Sequence, residues 1–484
     1  MKLLPFLFLV VLVAFCSLPE ILACDSLQFD LVWEESTFPE LPQTIVYDKQ
    51  DRPYFYLAHK NGGLKVYQVS DWANPEQVQA ISIEAFDGLH VMNAIQQGNY
   101  LYLALGNFFG SNQQMAGLGI VDVTNPESIT IADYWRTDTI VQGSAIAIAE
   151  GDYAYLGAMN QGLMIFDIAD KSNISVVSQY VPNIHFPNEN PTDIQEPNAR
   201  GMAIAGDLLY LCYDAGGIRV IDISDKTQPE EISRYINTEL LHKAQAYNNI
   251  VLDGDLAYVA VDYCGMEILD ISNPLAIERT GWWNPWECEA PTNVWLYNDG
   301  HTNQLFHDAD QNLVFLSAGA TELSVVDVSV PEAPVSCGGF GEVPNQQAVW
   351  GLEVYQNKVL LTYINAVLPF ISGWSGIKVV ESANLVNSAD QVEEANKPII
   401  VQEPFPNPFR EQFQINFALQ EASYVEVSIR DIRGRTITED LAFYIPGNHQ
   451  YVFDQSTQQL DSGIYFLRIS SQNFEINKKL VSLK

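Results

Sequence analysis

Five aspartates close five near-identical apolar runs: Asp122, Asp167, Asp222, Asp270 and Asp327. Carboxylates set out at regular intervals could bind a cation such as Ca²⁺. They could equally hold turns, because an Asp oxygen accepts a hydrogen bond from the backbone just beyond it. The turn reading is the stronger, since segments such as Val123-Thr124-Asn125-Pro126 follow directly. A second group is aromatic: Trp282, Trp283, Trp286, Trp295 and Tyr297, followed by His301 and His307. Aromatic side chains on a long insertion can stack on sugars or anchor a protein partner. Trp282 and Trp283 sit at a strand end and could instead be packing. The chain has no Gly-x-Ser-x-Gly elbow, no His-Glu-x-x-His, no phosphate-binding glycine loop and no Cys-x-x-Cys. No cofactor or metal site is therefore written in a motif.

These residues are positioned by a repeat. Gly117-Leu118-Gly119-Ile120-Val121-Asp122-Val123 returns as Gly162–Ile168, Gly217–Ile223, Gly265–Ile271 and Glu322–Val328, with looser copies at Gly62–Tyr67 and Gly376–Glu381. The spacing averages about 52 residues, close to the length of a four-stranded propeller blade. A second strand precedes each copy, as in Tyr102-Leu103-Ala104 and Tyr155-Leu156-Gly157. A Gly-Asp turn and a further strand come before that, and a Pro-containing turn and a fourth strand follow. Alternating apolar and polar residues without helical periodicity predict an all-β chain: a seven-bladed β-propeller of four-stranded blades. The last unit lacks a fourth strand, and Leu27–Trp33 is expected to supply it and close the ring.

The repeated run resembles the LVIVD repeat over roughly residues 27–390. Gln68 and Glu381 stand where the other copies have Asp. The resemblance implies a propeller, often on secreted or surface proteins, without one settled activity.

The ends add an itinerary. Met1-Lys2, an apolar stretch from Leu3 to Cys16 and Ile21-Leu22-Ala23 read as a signal peptide, residues 1–23. Ile21-Leu22-Ala23-Cys24 resembles a lipobox, so lipidation of Cys24 and ordinary cleavage both stay open. After a linker at 391–398, residues 399–484 read as a small β-sandwich. That segment resembles the type A C-terminal sorting domain of the type IX secretion system. The matching residues are Pro406, Asn407, Pro408 and Phe409, the turn at Gly434, then Gly463 and Tyr465, and the tail with Lys478 and Lys479. The resemblance implies Sec export, passage through the outer membrane of a Bacteroidota-type cell, and the type IX machinery as partner.

The formal charge is −36, and residues 401–484 hold 8 Lys and Arg against 10 Asp and Glu. The acidity therefore sits on the propeller (25–390), which disfavours nucleic acid. No transmembrane span is expected once the signal is removed. Cys212 with Cys264, and Cys288 with Cys337, are both open as disulfides in an oxidising compartment.

Ligands of propellers commonly sit at the mouth of the central channel. Arg200, at the end of the long Ile184–Arg200 loop, and the matching positions His90 and Trp350 are candidates there. Trp283, Trp286, Trp295 and Tyr297 are candidates on the insertion. The leading expectation is a secreted or surface-displayed binding or scaffold module for a protein or glycan. The alternative is a propeller hydrolase or lactonase with a metal-assisted site at the channel.

Overall fold

The structure, a computed structural model, describes residues 27–385 except 110–111 and 193–195. In the C-terminal part it describes 399–482 except 402–403, 405, 411, 420–421, 432, 434, 446, 456–459, 461 and 472–474. The signal peptide, Cys24, the linker at 391–398 and Gly434 lie outside the described residues. The chain divides into two compact units at the Leu385–Val386 junction.

The first unit is a ring of seven sheets of four antiparallel strands each, blade six carrying a short fifth strand in addition. Blade two shows the pattern: Val91–Gln97 innermost, then Tyr100–Leu105, Gly117–Asp122 and Thr130–Arg136 outermost. The two middle strands are sandwiched between neighbouring blades. They are buried on both faces and read as unbroken apolar runs, as in Leu101–Leu105. The outer strand is half-buried along most of its length, with one end exposed. In each blade the outermost strand pair carries a register shift at the same place, for example between Val220 and Ile221 and between Ile268 and Leu269. These bulges add local twist to the blade edge.

The N-terminal segment closes the ring. Asp30–Ser36 pairs antiparallel with Gly376–Glu381, placing Leu31 opposite Val380 and Glu35 opposite Ile377. The residues just before it do something different: Leu27 and Gln28 pair in parallel with Gly338 and Gly339, on the outer edge of blade six. One short segment thus ties blades six and seven together. The edge of Gly376–Glu381 is covered by a full strand, and two residues of blade six's outer edge are covered as well.

The recurring aspartates hold turns. Asp122, Asp167, Asp222, Asp270 and Asp327 each accept the backbone N–H two residues on, at 2.7–2.9 Å. The Ser224 hydroxyl first and its N–H second hold the Asp222 carboxyl below the usual carboxylate range, and Ser272 does the same for Asp270.

Cys264 is bonded to Cys288, a pairing outside the two that spacing suggested. Cys337 is also disulfide-bonded, and Cys212 is a buried free thiol. The bridge staples the insertion 284–300 back onto the blade-five turn from which Cys264 comes. Among the described residues, no helix is long and apolar enough to cross a membrane.

The second unit has two sheets. One contains Ile399–Val401, Gln412–Leu419 and Gly447–Asp454; the other contains Ser423–Asp431, Thr436–Tyr444, Gly463–Ser470 and Glu475–Ser482. Phe409, Phe413, Phe417, Val427, Leu467 and Leu480 fill the space between them. Asn407 is clamped to the final strand: its side chain donates to Lys479 O at 2.7 Å and accepts from Val481 N at 2.8 Å.

Candidate functional site

One turn recurs at the same end of five blades. It joins the second strand to the third, and its first residue has a positive φ: Lys60 (43°), Met159 (45°), Asp214 (47°), Asp262 (35°) and Gly319 (61°). Each of these residues bridges to the start of the next blade's innermost strand, at Val91, Ala199, Tyr247, Thr302 and Val349. The backbone is repeated, and the side chains are not. The residue after each bridged partner also changes around the ring: Met92, Arg200, Asn248, Asn303, Trp350. Strand direction puts the recurring aspartates at the opposite end, since Asp222 pairs with Leu208 while Ile218 pairs with Cys212.

At the variable end lies a cavity of about 650 Å³. Its walls include Lys60, Phe108, Phe109, Arg200, Asp214, Asp262, Trp295, His301, Trp350 and Phe370. A volume of this size suits a small ligand or one end of a larger one. A narrower space continues into the channel between Arg200, Asn248, Asn303 and Trp350.

The insertion reaches this cavity through two contacts to blade five. Trp295 Nε1 donates to Asp262 Oδ2 at 2.7 Å, and His301 Nδ1 is bonded to Asp262 Oδ1. Asp214, one blade back, is pushed up to about 6, chiefly by burial; the Arg200 charge opposes that rise and Asp262 adds to it. Arg200 lies over the Phe108 ring (5.1 Å) and donates to Asn303 Oδ1 at 3.4 Å. Lys60 lies over Phe109 (4.8 Å), whose ring meets Trp350 edge-on at 5.0 Å. Burial pulls the Lys60 ammonium below its usual range. Among the described residues, no three His, Cys, Asp or Glu side chains are grouped so as to hold a metal ion.

The residues expected from sequence separate into four positions. Arg200, Trp350 and Trp295 share the cavity wall. Trp283 is buried between blades five and six beside Leu305, Val314 and Leu316, and its indole donates to Ser336 Oγ at 2.9 Å. Trp286 packs on Trp283, centroids 5.5 Å apart. Neither of these two lines the cavity, because the disulfide folds this part of the insertion onto the blade. Tyr297 is 66% exposed on the rim, its N–H donating to Pro369 O at 2.7 Å. His90 lies two residues before the position equivalent to Arg200, which is Met92. Its backbone holds the turn through Gly106 and Gln114. Burial first and then Lys60 lower its imidazole to about 4.

Family models match both parts of the chain. The LVIVD repeat matches residues 91–137, 142–181, 197–237 and 246–277, which are blades two to five. The secretion system C-terminal sorting domain matches 403–483. The chain is an LVIVD-repeat β-propeller with a C-terminal sorting domain. A search of curated proteins finds no match. Among solved structures, Raptor of Chaetomium thermophilum shares 9% identity at a TM-score of 0.53 over 74% of this chain, which spans 29% of that protein. The WD40 β-propeller domain of Doa1 shares 6% identity at 0.49, covering 73% of this chain and 97% of that one. These likenesses concern the fold. The LVIVD propeller departs from its own repeat at the cavity, where Lys60, Asp214 and Asp262 occupy one repeated turn position with opposite charges. That difference was hidden in sequence, because the turn residue precedes the conspicuous glycines. Aligning Lys60-Asn61-Gly62-Gly63 with Asp214-Ala215-Gly216-Gly217 is the signal that would have found it.

Proposed function

We propose that the propeller is an exported binding module whose ligand sits in the channel-mouth cavity. The sorting domain directs type IX-dependent export to the cell surface or beyond. The observation carrying the binding reading is that the walls of one cavity are made from the non-repeating side chains of a repeated scaffold. Uniform blades hold the ring, and the variable turn residues give it specificity. The test is calorimetric titration of the purified full chain with glycans and extracellular proteins, repeated with Trp350→Ala. Binding lost in the variant at unchanged melting supports the reading; binding indifferent to Trp350 contradicts it.

A second reading has one observation in its favour. Asp214, Asp262 and His301 line the cavity, Asp214 is pushed up to about 6, chiefly by burial, and Asp262 is hydrogen-bonded to Trp295 and His301. A carboxyl raised in this way beside a second carboxylate and an imidazole suits acid–base hydrolysis. Turnover of an ester, lactone or glycoside that Asp214→Asn abolishes would move the protein into that class.

A further inference from the structure

We infer that the cavity takes a neutral saccharide unit, its hydroxyls donating to oxygens of the protein and its C–H faces lying on aromatic walls. This rests on the reading of the cavity as a ligand site.

Three carboxamides and one imidazole of the lining have placed a donor within the protein and kept an acceptor. Gln43 Nε2 donates to the carbonyls of Leu41 and Pro42 at 3.3 and 3.2 Å. Asn198 Nδ2 donates to Glu196 O, and Asn248 Nδ2 to Thr302 O, each at 2.9 Å. These bonds fix the three carboxamides, and their carbonyl oxygens are buried without a hydrogen-bond partner. His301 joins them: Nδ1 is taken by Asp262 and Nε2 has no partner. Gln43 and His301 are 1% and 4% exposed, so solvent does not compensate either of them. The carboxylates of Glu196, Asp214 and Asp262 add further acceptors, and the Trp295 N–H is already spent.

Such a lining asks for a ligand rich in donors. Two classes qualify, amines and polyols. The cations Lys60 and Arg200 in the same wall oppose an ammonium, and the three carboxylates oppose an acidic sugar. A neutral polyol meets neither penalty, and its ring and hydroxyl oxygens give Lys60 and Arg200 something to donate to. Trp350, Trp295, Phe108 and Phe370 supply apolar walls for the C–H faces of a sugar ring.

The test is calorimetry of the full chain with maltotriose, cellotriose, laminaritriose and triacetylchitotriose, with digalacturonate and spermidine as charged probes. Binding of at least one neutral trisaccharide is expected, weakened at least tenfold by Trp350→Ala and by Asn248→Ala. Trp350→Phe should restore part of it, and melting curves verify folding of each variant. Tightest binding of digalacturonate or spermidine, still dependent on Trp350, overturns the sugar class and leaves the cavity reading standing. Failure of all four neutral sugars also overturns the class. A ligand of any kind that binds regardless of Trp350 and Asn248 removes the cavity reading itself.

Discussion

Trp295, on the insertion after blade five, donates its indole N–H to the Asp262 carboxylate at 2.7 Å. The two residues are 33 apart in sequence, and the same carboxylate also holds His301. An aromatic from a non-repeating loop is thereby fixed to a residue of a repeating turn. Asp262→Ala should release both partners. Trp295 emission is expected to shift to the red, and ligand affinity to fall at least tenfold. The lost charge-assisted bonds should cost about 2–3 kcal/mol of stability. Unchanged fluorescence and affinity would show that Asp262 does not position the loop.

The Cys264–Cys288 bridge closes a loop with a sequence separation of 24. A closed loop of this size stabilises by about 3 kcal/mol through the unfolded chain. Replacing both cysteines by alanine should lower stability by that order and loosen Trp295, seen as faster acrylamide quenching. Reduction of the wild type should loosen Trp295 in the same way, while Cys212→Ser should leave its quenching unchanged.

Asp214 gives a pH signature. Burial raises its folded pKa to about 6 from the ordinary 3.8, so the folded state holds the proton more tightly. This contribution favours folding at low pH, fades as pH rises between about 4 and 6, and is absent above that window. Asp214→Asn should therefore gain on the wild type as pH rises from 4 to 7. The gain should be about 1–2 kcal/mol, reduced from the full linkage value because the side chain borders the cavity. Denaturation series at several pH values measure it, and a gap that narrows with rising pH contradicts the assignment.

Asp222 behaves in the opposite sense. Its folded pKa is depressed by hydrogen bonds around Ser224, so its contribution is present at neutral pH and lost as pH falls through that lowered value. Asp222→Ala should lower the melting temperature at pH 7, and the deficit should shrink below pH ~3.8, where the wild type begins to lose the same acceptor. Ligand affinity should not change, because this turn lies at the other end of the ring.

Removal of residues 399–484 should leave the propeller folded and retained inside the outer membrane. Cell fractionation checks this. Equal amounts of truncated and intact protein outside the cell would contradict the role of the sorting domain.

Much of the ring is legible in the chain because it is repetitive. Strands buried on both faces must be apolar throughout, so Tyr102–Ala104 and Tyr155–Gly157 look alike. Closure is legible because blade seven lacks a strand and Leu27–Trp33 offers one, although the strand that pairs runs from Asp30 to Ser36. The parallel pairing of Leu27 and Gln28 with blade six is not, since two residues carry no periodicity. The cavity was read only in part. Arg200, Trp295 and Trp350 stand out by type, whereas no motif singles out Asp214 or Asp262. Only the bridges to Tyr247 and Thr302 put them at the channel mouth. Trp283 and Trp286 misled because an aromatic-rich loop resembles a platform until its disulfide is known.

The central claim is that ligand occupies the variable end of the ring. Hydrogen exchange of the full chain, with and without a saturating bound saccharide, tests it most directly. Protection is expected at 60–63, 106–109, 198–201, 244–248, 300–303 and 364–370, with the turns at 122–126 and 222–229 unchanged. Protection confined to those opposite turns, or to residues beyond 399, would contradict the account.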